Sequence, residues 1–246
     1  MFFNIFKKNR QPRPIFEALG TDMHCHLIPK VDDGSKCIEE SIECLTTLHA
    51  VGYKKVIITP HFQYPRFPNN EDDITHRYEE LRRQAAEAGV EIELAGIGGE
   101  YRIDSGFKSR LENPHFLKIG GQYVLVELSL HQPMMGCDEM IFDMQMNGYE
   151  VILAHPERYP YLNLHGSRME QLKNQGVYFQ ANLLSLGGFY GDDAKKRAYE
   201  MINRGWVEFL GTDTHNTMYA QALSDLTHDR KILKVLETHD FLNHTL

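Results

Sequence analysis

The strongest constraint on this chain is a rhythm. Seven short apolar or β-branched runs recur along it, each separated from the next by a helical pattern or a loop: Thr21 to His26, Lys55 to His61, Glu91 to Glu100, Tyr123 to Leu128, Val151 to His155, Val177 to Asn182 and Val207 to Asp213. Parallel β/α units read this way, because a parallel strand needs a crossover that returns the chain to the same end of the sheet. Between the runs, Ile38, Ile42, Leu45 and Leu48 share one helical stripe, and Ile74, Tyr78, Leu81, Ala85 and Ala88 share another that Gly89 can end. Asp192 to Arg204, before Gly205, and Ala220 to Leu236 read as two further helices. Over 246 residues without an internal repeat, low-complexity tract or linker, the rhythm predicts one α/β domain spanning 21–246. Its economical architecture is a closed or nearly closed barrel, preceded by an N-terminal extension, residues 1–20.

Composition removes several function classes. Hydrophobic residues at 42% and charged residues at 24% are those of a soluble globular protein, and no apolar run is long enough to cross a bilayer. A formal charge of −8 argues against a nucleic-acid partner, since phosphate-backbone affinity needs concentrated Lys and Arg. Cys25, Cys37, Cys44 and Cys137 form no C-x-x-C pair and no secretory leader precedes them, so a cytoplasmic location is expected. Met1 to Arg13 combines Phe2, Phe3, Ile5 and Phe6 with Lys7, Lys8, Arg10 and Arg13, a pattern able to touch an anionic membrane, although a tail ahead of the domain is the simpler reading.

Metal-binding residue types fall at the C-terminal ends of the runs. His24 and His26 close the first, His61 the second, Glu100 the third, Glu127 the fourth, His155 the fifth, and Asp213 with His215 the seventh. In a β/α barrel those ends converge on one face, so residues far apart in sequence share a pocket. His24 and His26, two apart on extended backbone, point the same way and can grip one ion. Asp32-Asp33-Gly34 follows, where helix capping near Ser35 and metal ligation compete as explanations. Mixed imidazole and carboxylate donors suit Zn, Mn or Fe better than Ca or Mg. Asp33, Glu100, Glu127 and Asp213 with neutral histidines would make an empty pocket hostile to phosphate, whereas two or three divalent ions neutralise it, activate water and clamp the oxygens of a displacement.

Together these residues resemble the PHP (polymerase and histidinol phosphatase) superfamily, and within it the bacterial manganese-dependent protein tyrosine phosphatases of capsule and exopolysaccharide operons. The match runs from about Thr21 to about His215. It is sharpest at His24-x-His26-x-x-Pro29-x-x-Asp32-Asp33-Gly34 and Ala154-His155-Pro156-Glu157-Arg158-Tyr159, with Gly99-Glu100, Val126-Glu127-Leu128-Ser129 and Thr212-Asp213-Thr214-His215 completing the set. The resemblance implies a distorted seven-stranded barrel of PHP type and a trinuclear site, with Mn2+ as the expected ion. Its ligands would be His24, His26, Asp33, His61, Glu100, Glu127, His155, Asp213 and His215, with Asp33 preferred to Asp32. Arg158 would bind the phosphate through its guanidinium fork. Metal-bound hydroxide would attack, and His155 is one candidate to assist the leaving oxygen. The partner it implies is a phosphotyrosyl protein, a membrane-associated bacterial tyrosine kinase of polysaccharide export.

One departure concerns the arginine such phosphatases often carry shortly after the final Asp-x-His, where this chain continues Asn216-Thr217-Met218-Tyr219. Either Arg66, Arg102 or another basic residue supplies the second phosphate contact, or the site binds substrate less tightly. A cysteine mechanism is set aside, because six positions beyond the four cysteines stand Val31, Glu43, Ala50 and Asp143 rather than the required arginine. The loop after His61, Phe62 to Asn70, must leave from the rim of the site, so Arg66 and Phe67 are expected to touch substrate unless the loop aromatics fold back on the barrel. The alternatives are histidinol phosphatase, a PHP exonuclease, and a non-catalytic regulator docking a kinase; loss of metal ligands would mark the last, and none is lost.

Overall fold

The computed structural model describes residues 11–132 and 134–246. The membrane-touching pattern of Met1 to Arg13 falls almost wholly outside them. The 3-10 turn Ile15–Ala18 lies within, and its Phe16 is buried, stacked on Tyr53 with ring centroids 5.6 Å apart.

Among the described residues nine strands form: β1 Thr21–Asp22, β2 Lys55–Ile58, β3 His61–Phe62, β4 Glu93–Ile97, β5 Glu100–Arg102, β6 Tyr123–Glu127, β7 Glu150–Ala154, β8 Tyr178–Asn182 and β9 Phe209–Gly211. The helices are α1 Ile38–Ala50, α2 Glu71–Glu87, α3 Phe107–Glu112, α4 Cys137–Met146, α5 Ser167–Asn174, α6 Leu183–Gly187, α7 Asp192–Asn203, α8 Thr217–Leu226 and α9 Arg230–Thr238. Every strand pair is parallel, in the orders β1-β2-β4 and β3-β5-β6-β7-β8-β9.

Two of the sequence runs each make two strands. The second breaks at Thr59-Pro60, where proline has no N–H for the ladder. The third breaks at Gly98-Gly99, where a Cβ on Gly98 would lie 2.6 Å from Ile119 and one on Gly99 would lie 2.7 Å from the Tyr101 ring. Hydrogen bonds from Gly98 N to the Ile58 oxygen and from Glu100 N to the Pro60 oxygen, 2.8 and 2.9 Å, carry the pairing across both breaks. At the other extreme of the order, Asp213 N donates to the His24 oxygen (2.8 Å) and His26 N to the Thr214 oxygen (2.9 Å), so the last run meets the first. The helix expected over Ala220 to Leu236 is two helices, because Thr227 to Asp229 turn the chain and the Asp229 side chain caps α9 by accepting from Lys231 N.

Alternation of side chains separates two apolar clusters. Val124, Val126, Val151, Leu153, Phe179 and Leu210 join the large core shared with the helices. Their neighbours Tyr123, Leu125, Ile152, Ala154 and Phe209 join Met23, Ile57 and Ile119 in a second, smaller cluster. Burying each of these large side chains contributes roughly 1.5–3 kcal/mol. On β6 the face that begins with Tyr123 and Leu125 ends at Glu127. Apolar filling at the strand starts thus gives way to carboxylates at the strand ends.

Candidate metal centre

All nine proposed ligand residues lie at that end, and seven of them supply atoms to groups in which every candidate ligand atom is within 4.8 Å of the others: His24, His26, Glu100 and Asp213; His61, Glu100 and Glu127; His26, His61 and His215. Asp33 and His155 stand at the margins. Asp33 Oδ1 is 3.5 Å from His61 Nε2 and 3.6 Å from His215 Nε2, and His155 Nε2 is 2.9 Å from Glu100 Oε1.

Strand geometry alone does not aim every ligand. His155 and Asp213 are non-glycine residues with left-handed backbone, φ 35° and 53°, a conformation that costs on the order of 1–3 kcal/mol. In each, the backbone departs from extended just past a strand end, and the side chain faces the cluster.

The first group tests whether a cation fits. His24 Nε2 lies 3.2 Å from both His26 Nε2 and Glu100 Oε2, and 3.5 Å from Asp213 Oδ1; His26 Nε2 lies 3.3 and 3.4 Å from the same two oxygens. A tetrahedron with such edges has its centre about 2.0 Å from each corner, the usual bond length from imidazole or carboxylate to a first-row divalent ion. In the second group, His61 Nδ1, Glu100 Oε2 and Glu127 Oε1 are buried without a hydrogen-bond partner although His61 Nδ1 is 3.1 and 3.3 Å from the two oxygens. Orphaned buried polar atoms are costly, and a shared cation removes the cost. The donor set fits.

Protonation behaviour has the same cause. Burial pushes the Glu100 and Asp213 carboxyls up, yet His24 foremost pulls both well below the usual carboxylate range. Burial works to lower His61, and Glu100 and Glu127 together outweigh it, holding the imidazole at about 9. The carboxylates attract positive charge to this point.

Residues around the ligands fix their orientation. His24 Nδ1 pairs with Gln180 Oε1 at 2.8 Å, His26 Nδ1 with Asp32 Oδ2 at 2.9 Å, and His215 Nδ1 with the Asp213 backbone oxygen at 2.8 Å, which leaves each Nε2 for the cluster. Asp32 also accepts from His61 N and Gly34 N, both at 2.9 Å, so it organises the turn and does not cap α1, which starts at Ile38. Gly34 has no alternative, since a Cβ there would lie on the His26 backbone oxygen.

Arg158 Nη1 donates to Asp213 Oδ2 at 2.9 Å, and its guanidinium carbon lies 4.2 Å from the Tyr190 ring centroid. Asn182 Nδ2 (2.7 Å) and Tyr190 Oη (3.3 Å) donate to the same oxygen. The turn carrying Arg158 is tied down by Arg197 of α7, which donates to the backbone oxygens of Pro156, Glu157, Tyr159 and Leu162. Arg66 and Phe67 stand at the rim: Arg66 Nη2 is 3.1 Å from Asp33 Oδ2, and Phe67 lies parallel to the His61 ring at 5.6 Å. Phe62 instead turns into the core against Tyr101, and Tyr64 is exposed.

Reasoning from sequence missed Gln180, Asn182, Asp32 as an orienting group, Tyr190 and Arg197. The sixth run held the available signal, because it ends without a metal ligand yet places Gln180 and Asn182 two apart in an apolar strand. Tyr190 and Arg197 carry no local signal. Cys25, between the two histidines, is buried in the large apolar core.

Comparison with known proteins agrees with this geometry. Residues 20–225 match the family model described as capsular polysaccharide synthesis, CpsB/CapC. The tyrosine-protein phosphatase CpsB of Streptococcus pneumoniae is 28% identical over 201 residues, 79% of this chain and 82% of the relative. The tyrosine-protein phosphatase YwqE of Bacillus subtilis is 25% identical over 196 residues, 79% of this chain and 77% of the relative. A crystal structure from work on these two proteins, described there as unique metal-dependent tyrosine phosphatases, superposes with a TM-score of 0.78 at 23% identity over 92% of this chain and 90% of that one. With strand-end histidines and carboxylates gathered at one face and a family match over most of its length, this chain belongs to the CpsB/CapC family of capsular polysaccharide synthesis.

Proposed function

We propose that the chain is a metal-dependent phosphoric monoester hydrolase that removes phosphate from phosphotyrosine in a protein. The observation that carries the reading is the buried cluster of His24, His26, His61, Glu100, Glu127, Asp213 and His215 with the Arg158 guanidinium on its edge. Asp33 and His155 complete the proposed ligand set. Two or three ions, Mn2+ first and Fe or Zn as alternatives, suit the mixed donors. Bound there, they lower the pKa of water and neutralise charge on the phosphoryl oxygens.

The chain's own residues do the rest. Arg158 presents its remaining donors to the phosphoryl group, held by Asp213 on one side and by Tyr190 under its plane. His155, within 2.9 Å of Glu100, or a neighbouring group on the ligand side would assist departure of the phenolic oxygen. Phe67 offers an apolar wall for the tyrosine ring, and Arg66 a charge beside it. Closure of the seven runs into a PHP-type barrel is supported by the hydrogen bonds between Asp213 and His24 and between His26 and Thr214. Among the described residues no helix is long and apolar enough to cross a membrane, and all four cysteines are free, in keeping with action in the cytoplasm. The family's link to capsule synthesis points to a tyrosine kinase of polysaccharide export as the substrate.

The histidinol phosphatase alternative is disfavoured, because the sequence relatives are named tyrosine phosphatases. Assay of the manganese-loaded protein on a phosphotyrosyl peptide and on histidinol phosphate separates the two. A higher kcat/KM for the peptide is expected; a preference for histidinol phosphate would overturn the substrate assignment.

A further inference from the structure

Three arginines share one arrangement around the cluster. Arg158 Nη1 is 2.9 Å from Asp213 Oδ2, Arg102 Nη1 is 3.0 Å from Glu127 Oε2, and Arg66 Nη2 is 3.1 Å from Asp33 Oδ2. In each case the other carboxylate oxygen faces at least one histidine of the centre. Their surroundings differ. The Arg158 and Arg102 side chains are 20% and 17% exposed, whereas Arg66 is 61% exposed on its loop. Arg102 also lies two residues beyond Glu100 on β5, so the pleat puts both side chains on one face of a fixed strand.

Arg102 is not sealed behind the centre. It borders a cavity of about 770 Å3 that Phe67, Tyr64 and Arg110 also line. Among the described residues Glu127 is its one ion-pair partner, which leaves guanidinium donors for an anion at the centre. Contacts run from Asp213 through His24 and His26 to Glu100, and on through His61 to Glu127, so Arg158 and Arg102 bracket the cluster from its two ends. A half-desolvated guanidinium on a strand loses less hydration and less freedom on gripping an anion than one at an exposed loop tip.

We propose that Arg102 is a second phosphoryl-binding guanidinium, holding the oxygens across the centre from Arg158. The proposal rests on the phosphoesterase reading, and its test is a binding measurement that needs no turnover. Calorimetric titration of the manganese-loaded full chain with inorganic phosphate should show Arg102→Gln and Arg158→Gln each weakening affinity about tenfold or more, with bound manganese unchanged. Arg102→Lys should recover part of the loss, having the charge without the fork. Lys108→Gln, an exposed charge on α3, should stay within twofold. Phosphate affinity within twofold of wild type for Arg102→Gln, or a larger loss for Arg66→Gln, would overturn the proposal. Loss of manganese from Arg102→Gln would assign the residue to supporting Glu127 alone and overturn it equally. A protein that binds phosphate as expected but leaves phosphotyrosyl peptide intact would instead refute the function proposed above.

Discussion

Adjacent aspartates in this chain do different work. Asp32 is buried among donors, accepting from His26, His61 and Gly34, whereas Asp33 is half-exposed and sends one oxygen toward His61 and His215 and the other to Arg66. Both carboxyls are held below the usual range. For each, burial pushes upward and neighbouring imidazoles outweigh it: His26 first for Asp32, His215 first for Asp33. Removing an orienting partner typically costs 10- to 100-fold in metal affinity. Asp32→Ala is therefore expected to weaken manganese binding by about that factor although Asp32 itself faces no cluster atom other than through His26. A competition titration with a fluorescent chelator reads it, and unchanged affinity would return Asp32 to the role of a simple turn residue.

At the scale of elements, the segment from β3 to α2 forms part of the rim of the centre. It leaves the rim at His61, doubles back through the Gln63–Phe67 bridge, and enters α2 at the Asn70 cap, whose side chain accepts from Asp72 N and Asp73 N. That anchoring at both ends holds Phe67 parallel to His61 while Tyr64 stays 62% exposed. If Phe67 packs beside a tyrosine ring, Phe67→Ala should raise KM for a phosphotyrosyl peptide roughly two- to twelvefold, the loss of one aromatic contact of about 0.5–1.5 kcal/mol. Hydrolysis of a small aliphatic phosphate by the same variant should change little. Equal losses on both substrates would show that the ring only supports His61.

For the molecule as a whole, the centre joins the first, second, third, fourth and last runs, and three of its facing atoms, His61 Nδ1, Glu100 Oε2 and Glu127 Oε1, are buried without a hydrogen-bond partner. Cations bound there select the folded state over the unfolded chain, where no such site exists. Chelation should therefore lower Tm and abolish turnover together, and manganese should restore both better than magnesium, whose preference is for oxygen donors. Full activity in thoroughly demetallated protein would refute the metal requirement. A small cluster around Leu125, Ile152 and Phe209 lies below the centre and remains when the ions leave, so a folded metal-free protein of lower Tm is expected.

Sequence by itself determined the parallel β/α character, because alternation of short apolar runs with amphipathic stripes has few other solutions, and it determined the face on which the candidate ligands gather, because residues at equivalent ends of parallel strands are brought together. His24, His26, His61, Glu100, Glu127, Asp213 and His215 were legible on that ground alone. Tertiary structure decided what no local pattern encodes. Pro60 and the crowding at Gly98 and Gly99 divided two runs between sheets. Left-handed backbone at His155 and Asp213 aimed ligands where the pleat did not. Gln180 from β8, Arg197 from α7 and Tyr190 reached the site across more than thirty intervening residues in the case of Arg197, whose donors meet Pro156 with a sequence separation of 41. Such partners are chosen by three-dimensional proximity of donors to acceptors, a property of packed elements that neighbouring residues in the chain do not carry.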